Sequence, residues 1–180
     1  HGLASTPYGT PGARLRIDPS PYAYFQIGGY SAELDTSRGD VRFPISERSG
    51  ALIYSELTLK LNQSPEAQGP PGNLKFGGWY ATGDFYDTYD SALYATIGLA
   101  DPSKYHGNYG LYFLADQTLW QEEGKEDPAH QGLVGFFRVA GAPPDRNLAP
   151  FGIDGGLVYR GLIPSRDWDS LGLAVSYLEI

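Results

Sequence analysis

Ile153-Asp154-Gly155-Gly156-Leu157-Val158-Tyr159-Arg160 decides the fold: Ile153, Leu157 and Tyr159 fall on odd positions, Asp154, Gly156 and Arg160 on even ones. A period of two means a β-strand whose two faces meet different surroundings. The same phase recurs on either side, in Val134-Gly135-Phe136-Phe137-Arg138-Val139 and in Leu171-Gly172-Leu173-Ala174-Val175-Ser176-Tyr177. A soluble sandwich shares this period but does not turn charges into its core. Here Arg138, Asp154 and Arg160 share one phase, which suits a water-filled interior, with the apolar phase turned to lipid. The expectation is an all-β, antiparallel, up-and-down transmembrane β-barrel.

Composition agrees. The mean hydropathy of -0.33 and 41% hydrophobic residues look like those of a soluble protein, as a barrel must when only half of each strand meets lipid. The counts Tyr 14, Trp 3, Phe 8 and Gly 24 fit aromatic girdles and closely packed strands. No apolar run approaches the ~20 residues of a membrane helix. A net charge of -8 leaves no basic stripe for nucleic acid. With Cys 0, disulfides, thiol catalysis and sulfur-based zinc sites are excluded. Met 0 and a start at His1, without an apolar signal core, suggest either a removed presequence or a segment of a longer protein.

Alternation and punctuation predict about eight strands in a single domain covering residues 1–180. They are expected at Ala13–Ile17, Tyr22–Ser31, Ala51–Leu61, Asn73–Thr82, Asn108–Trp120, Gly132–Ala140, Phe151–Gly161 and Ser170–Leu178. Prolines keep to the connectors, as they must when a ladder needs every N–H. A short helix is expected near Ser91–Leu99. Outer-membrane barrels have short periplasmic turns and longer external loops. If the Asp18-Pro19-Ser20-Pro21 turn is periplasmic, the long connectors Ala32–Gly50 and Gly83–Gly107 both fall outside, as does Gly141–Pro150. Gln121–Gln131 and Leu162–Asp169 then fall on the periplasmic side.

Several motifs stand in order along the chain: Gly77-Gly78-Trp79-Tyr80-Ala81-Thr82-Gly83-Asp84-Phe85, Gly107-Asn108-Tyr109-Gly110-Leu111-Tyr112-Phe113-Leu114-Ala115-Asp116-Gln117, Ala142-Pro143-Pro144-Asp145-Arg146-Asn147 and Gly161-Leu162-Ile163-Pro164-Ser165-Arg166-Asp167. Together they resemble the carbohydrate-selective porin (OprB) family of bacterial outer membranes. The likeness is densest from Leu74 onward. It implies a barrel of about sixteen strands, wide enough for an aqueous channel, of which these strands form an internal portion. It also implies substrate-selective passive diffusion of mono- or oligosaccharides, with outer-membrane lipid and lipopolysaccharide outside. The rival reading is a closed structural β-barrel or scaffold subunit in an outer-membrane assembly. A homo-oligomer is compatible with either, and neither an enzyme activity nor a cofactor is expected.

On this view alternation turns Arg14, Arg16, Tyr24, Gln26, Tyr30, Tyr54, Glu56, Thr58, Lys60, Lys75, Trp79, Asp116, Arg138, Asp154 and Arg160 toward the lumen. Asp116 and Gln117 are adjacent and cannot both face inward, so Gln117 is left near the interface. Aromatic rings offer an apolar face to the C–H side of a pyranose, while charged and amide groups exchange hydrogen bonds with its hydroxyls. Trp79 is placed at the external end of its strand, the first platform a sugar meets. The histidines His1, His106 and His130 lie far apart, and no nucleophile elbow, phosphate loop or metalloprotease motif is present. Asp84, Asp87 and Asp90 are a weak metal candidate that a solvated loop explains equally well. Glu122, Glu123, Glu126 and Asp127 around Lys125 read as solvent-facing.

Overall fold

The computed structural model describes residues 11–31, 50–64, 66–97, 101–122 and 131–180. Its eight strands are β1 (Gly12–Ser20), β2 (Ala23–Ser31), β3 (Ala51–Leu61), β4 (Gly72–Tyr86), β5 (Lys104–Gln121), β6 (Gly132–Gly141), β7 (Phe151–Arg160) and β8 (Ser170–Glu179), with one helix, α1 (Thr88–Ile97). They form one sheet in the order of the sequence, every neighbouring pair antiparallel. Most of the expected loop Ala32–Gly50, most of the turn Gln121–Gln131, the last residues of the expected helix, and His1 and His130 lie outside the described residues.

Cross-strand partners share a face, so the register alone sorts the side chains. Leu15, Ile27, Leu57, Phe76, Phe113, Phe137, Leu157 and Leu173 fall on one face. Near its middle Phe76 and Phe113 stack at 4.8 Å, with Phe137 6.3 Å beyond. Among the described residues the only buried hydrophobic one is Ala81. Leu15, Phe76, Leu173 and Val175 are exposed, at 58%, 48%, 77% and 75%. A sheet this apolar on one side with no core beneath it needs an apolar solvent, and in a barrel that solvent is lipid.

The aromatic residues on that face mark its height. Tyr80 and Tyr109 are paired toward the α1 end, and Trp120 and Tyr159 sit 6.0 Å apart toward the other. The stretch of β5 from Tyr109 to Trp120 covers about 35 Å at ~3.3 Å per residue. At a tilt near 45° that is about 25 Å along the membrane normal, the height of the apolar band of an outer-membrane barrel.

β4 and β5 run longer than a crossing requires, at 15 and 18 residues against the ~9–11 of a spanning strand. The sequence places the end of β4 at Thr82, but the hairpin continues through Asp84↔His106 to Tyr86↔Lys104. A bulge between Ala81 and Asp84 faces Gly107, whose φ of 81° lies in the left-handed region that only glycine adopts freely. Trp79 is therefore an interior residue of β4, not one at the strand's end. Asp84 and His106, expected in a loop, are strand residues beyond the tyrosine girdle. At the other end β1 continues through Pro19 to Ser20 with a register break after Ile17, so the turn lies at Pro21–Tyr22 rather than Asp18–Pro21. Ser20 Oγ accepts the Tyr22 N–H at 3.2 Å to hold it.

Candidate functional site on the polar face

The second face of the sheet carries, in cross-strand rows, all fifteen of the residues that alternation assigns to a lumen. One row joins Arg14, Gly28, Tyr54, Trp79 and Gly110. The next joins Arg16, Gln26, Glu56, Gly77 and Tyr112. Tyr24, Thr58, Lys75, Leu114, Arg138 and Asp154 form a third, and Lys60, Asn73, Asp116, Phe136 and Gly156 a fourth. Tyr30 stands above these rows toward the α1 end, and Arg160 below them, paired with Gly132. Gln117 falls on the other face, beside the β3–β4 turn, where its Nε2 donates to Pro70 O at 2.9 Å.

The charges on this wall are held in different ways. Glu56 accepts from three neutral donors: Gln26 Nε2 at 2.9 Å, Thr58 Oγ1 at 3.3 Å and Tyr112 OH at 2.9 Å. Asp116 accepts from Asn73 Nδ2 at 2.8 Å, and Arg138 Nε donates to Asp154 at 2.7 Å directly across the strand pair. The Arg16 guanidinium lies 3.8 Å from the centre of the Tyr24 ring, with Lys60 Nζ 5.6 Å away. Arg160 stacks 5.6 Å from Trp168.

The rings of this face lie down on glycines. A Cβ on Gly110 would stand 2.5 Å from the Trp79 indole nitrogen, and one on Gly77 2.1 Å from Tyr112 Cζ. Tyr30 covers Gly28 in the same manner, and Phe136 covers Gly156. A ring packed on a bare backbone fills the space that a side chain of the glycine would have taken. It also stabilises a glycine-rich strand that has no side chain of its own to pack. Sequence reading missed Tyr112 and Phe136, because in β5 and β6 apolar residues stand on both phases.

At the α1 end the β6–β7 loop folds over this same face. Asn147 and Asn108, both buried, exchange reciprocal amide hydrogen bonds of 3.0 Å, and Asn147 also donates to Pro143 O. Arg146 donates to Gly107 O at 2.7 Å, pairs with Asp145 and stacks over Tyr105. Asp145 O in turn receives the N–H of Thr88 at 2.8 Å, so the Ala142–Asn147 motif clamps the start of α1. The Arg146 guanidinium beside it holds the Asp145 carboxyl below the usual aspartate range.

Asp84, Asp87 and Asp90 do separate jobs. Asp87 caps α1, accepting from the backbone of Tyr89 and Asp90 at 2.9 and 3.0 Å. Asp90 accepts from Ser103 N–H at 3.1 Å, and hydrogen bonding from the Ser103 side chain and then its backbone lowers the Asp90 pKa. Asp84 sits between Lys104 at 2.5 Å and His106 at 3.1 Å, and their hydrogen bonds hold its carboxyl low. Ser103 and His106 thus each face an aspartate.

Three comparisons bear on this arrangement. The model of the family described as "Carbohydrate-selective porin, OprB family" matches residues 1–180. Porin B of Pseudomonas aeruginosa is 26% identical over 172 residues, covering 93% of this chain and 37% of that protein. A high-pH structure of Pseudomonas putida OprB superposes with a TM-score of 0.73 at 24% identity, over 93% of this chain and 39% of that one. The chain thus spans about two fifths of the length of these relatives. The eight-stranded up-and-down sheet, lipid-compatible on one face and polar on the other, is a stretch of outer-membrane barrel wall. The chain belongs to the carbohydrate-selective porin, OprB, family.

Proposed function

We propose that the polar face lines a water-filled channel through which carbohydrates diffuse passively across the bacterial outer membrane. The observation that carries this reading is the division of the two faces. One bears exposed apolar side chains, while the other bears six cations, four carboxylates (Asp18, paired with Arg16, among them) and rings packed on glycines. A wall that mixes such platforms with hydrogen-bonding groups suits a hydroxyl-rich ring with apolar C–H faces. On this reading the α1 end is external, the Pro21–Tyr22 turn is periplasmic, and Trp79, Tyr54 and Tyr30 form the upper part of the path.

Reconstitution of the porin carrying these strands into planar bilayers tests the proposal. Discrete open levels that added sugar reduces in a saturable manner are expected. Absence of any open level would favour the closed scaffold.

A further inference from the structure

A pocket of about 410 Å³ opens on the polar face between β4 and β7, lined by Lys75, Leu114, Asp116, Phe136, Arg138 and Asp154. Its floor is apolar, made by Leu114 and by the Phe136 ring resting over Gly156. Lys75 and Arg138 flank Leu114 from the two neighbouring strands. Two strand spacings set their backbones about 9.5 Å apart, which leaves room for one sugar ring between them. The hydrogen-bonding balance of the rim is uneven. Asp154, in the row of Leu114, is ion-paired with Arg138 Nε, while Asp116, one row away beside Phe136, accepts a single hydrogen bond from Asn73 and keeps its charge. Among the described residues Lys75 has no carboxylate within ion-pair distance, and the two terminal nitrogens of Arg138 make no hydrogen bond. In the row of Lys75, Leu114, Arg138 and Asp154 the unmet capacity is thus cationic donors, beside a platform for a ring.

We infer that this pocket is a subsite for an acidic monosaccharide, with the ring over Leu114 and Phe136 and its carboxylate or phosphate between Lys75 and Arg138. A neutral sugar satisfies the platform but leaves the ammonium and guanidinium without a counter-charge. An anionic group meets both with charge-assisted hydrogen bonds. The inference rests on the proposed channel reading and names a class of solute for one part of its wall.

The test compares block of single-channel current by glucose, glucuronate, glucose 6-phosphate and inorganic phosphate at low ionic strength, where charge is least screened. Either acidic sugar is expected to block at a concentration lower than glucose by on the order of tenfold, the scale of a hydrogen bond to a charged group. The stronger of the two identifies the anionic group. In Lys75→Gln the ratio of glucose to acidic-sugar blocking constants is expected to fall to near one, and Phe136→Ala is expected to weaken block by both classes. Equal block by glucose and both acidic sugars overturns the subsite and leaves the sugar channel standing. Inorganic phosphate blocking as well as glucose 6-phosphate overturns ring recognition at the pocket. A channel that no sugar blocks overturns the channel reading and the subsite with it.

Discussion

Trp79 and Tyr112 show what a side chain does on this wall. The Trp79 indole packs against Gly110, and a stacking contact of a sugar on such a ring is worth about 1 kcal/mol. Trp79→Ala is therefore expected to weaken sugar block of the current roughly fivefold, with little change in the heat stability of the barrel. Unchanged block in that variant would remove Trp79 from the path. Tyr112 spans the bare backbone of Gly77 to reach Glu56 on β3. Gly77→Val must displace the ring, because a Cβ there meets Tyr112 Cζ at 2.1 Å. The loss is expected to cost about 1 kcal/mol in thermal unfolding in detergent. Tyr112→Phe removes the same hydrogen bond, so the two changes combined should fall short of their sum. The phase of the charged residues was legible in the sequence, because a charge on the lipid side at midplane costs about 2–4 kcal/mol for Arg or Lys. The pairing of rings with glycines was not, since it depends on which residue of the next strand lies opposite.

Among the elements, the middles of the strands were readable and their ends were not. Alternation persists only where lipid and water lie on opposite sides, so Ala51–Leu61 has the bounds that the pattern predicts. Past Ala81 both faces of the β4–β5 hairpin meet water, and the bulge at Gly107 shifts the phase. The alternation ends there while the ladder continues. The clamp on α1 was likewise hidden, because Asp145 and Thr88 are far apart in sequence and meet only through register. Arg146→Ala removes the pair with Asp145 and the hydrogen bond to Gly107 O. It is expected to make α1 a chymotrypsin substrate at Tyr89 or Tyr94 at neutral pH, where the unaltered protein resists. The carboxyls of Asp145, Asp90 and Asp84 are all held below the ordinary aspartate value by their donors. Groups lowered on folding contribute their full stabilisation above the unfolded pKa and lose it as pH falls through the folded one. The unaltered loop is thus expected to stay protected down to about pH 4 and become cleavable by pepsin only below it. Cleavage that begins between pH 7 and pH 5 would count against these carboxyls as the clamp.

For the molecule as a whole, the chain is acidic, at -8, yet the polar wall carries Arg14, Arg16, Lys60, Lys75, Arg138 and Arg160 against Glu56, Asp116, Asp154 and Asp18, the last paired with Arg16. The acidic excess sits off this wall, in the connectors and at strand ends, where bulk water screens it. Reversal potentials in a salt gradient are expected to show a modest anion preference, and Lys60→Gln with Lys75→Gln should move it toward cations. Clear cation preference in the unaltered channel would mean that charges off this wall govern permeation. The alternation that builds the wall also governs how such a polypeptide reaches its membrane. Its lipid-facing residues stand on every second position, never gathered into a run of ~20 that a translocon would retain as a helix. An exported chain of this design crosses the inner membrane as ordinary hydrophilic cargo. Its affinity for lipid comes into being only when neighbouring strands pair and collect the scattered apolar side chains onto one surface.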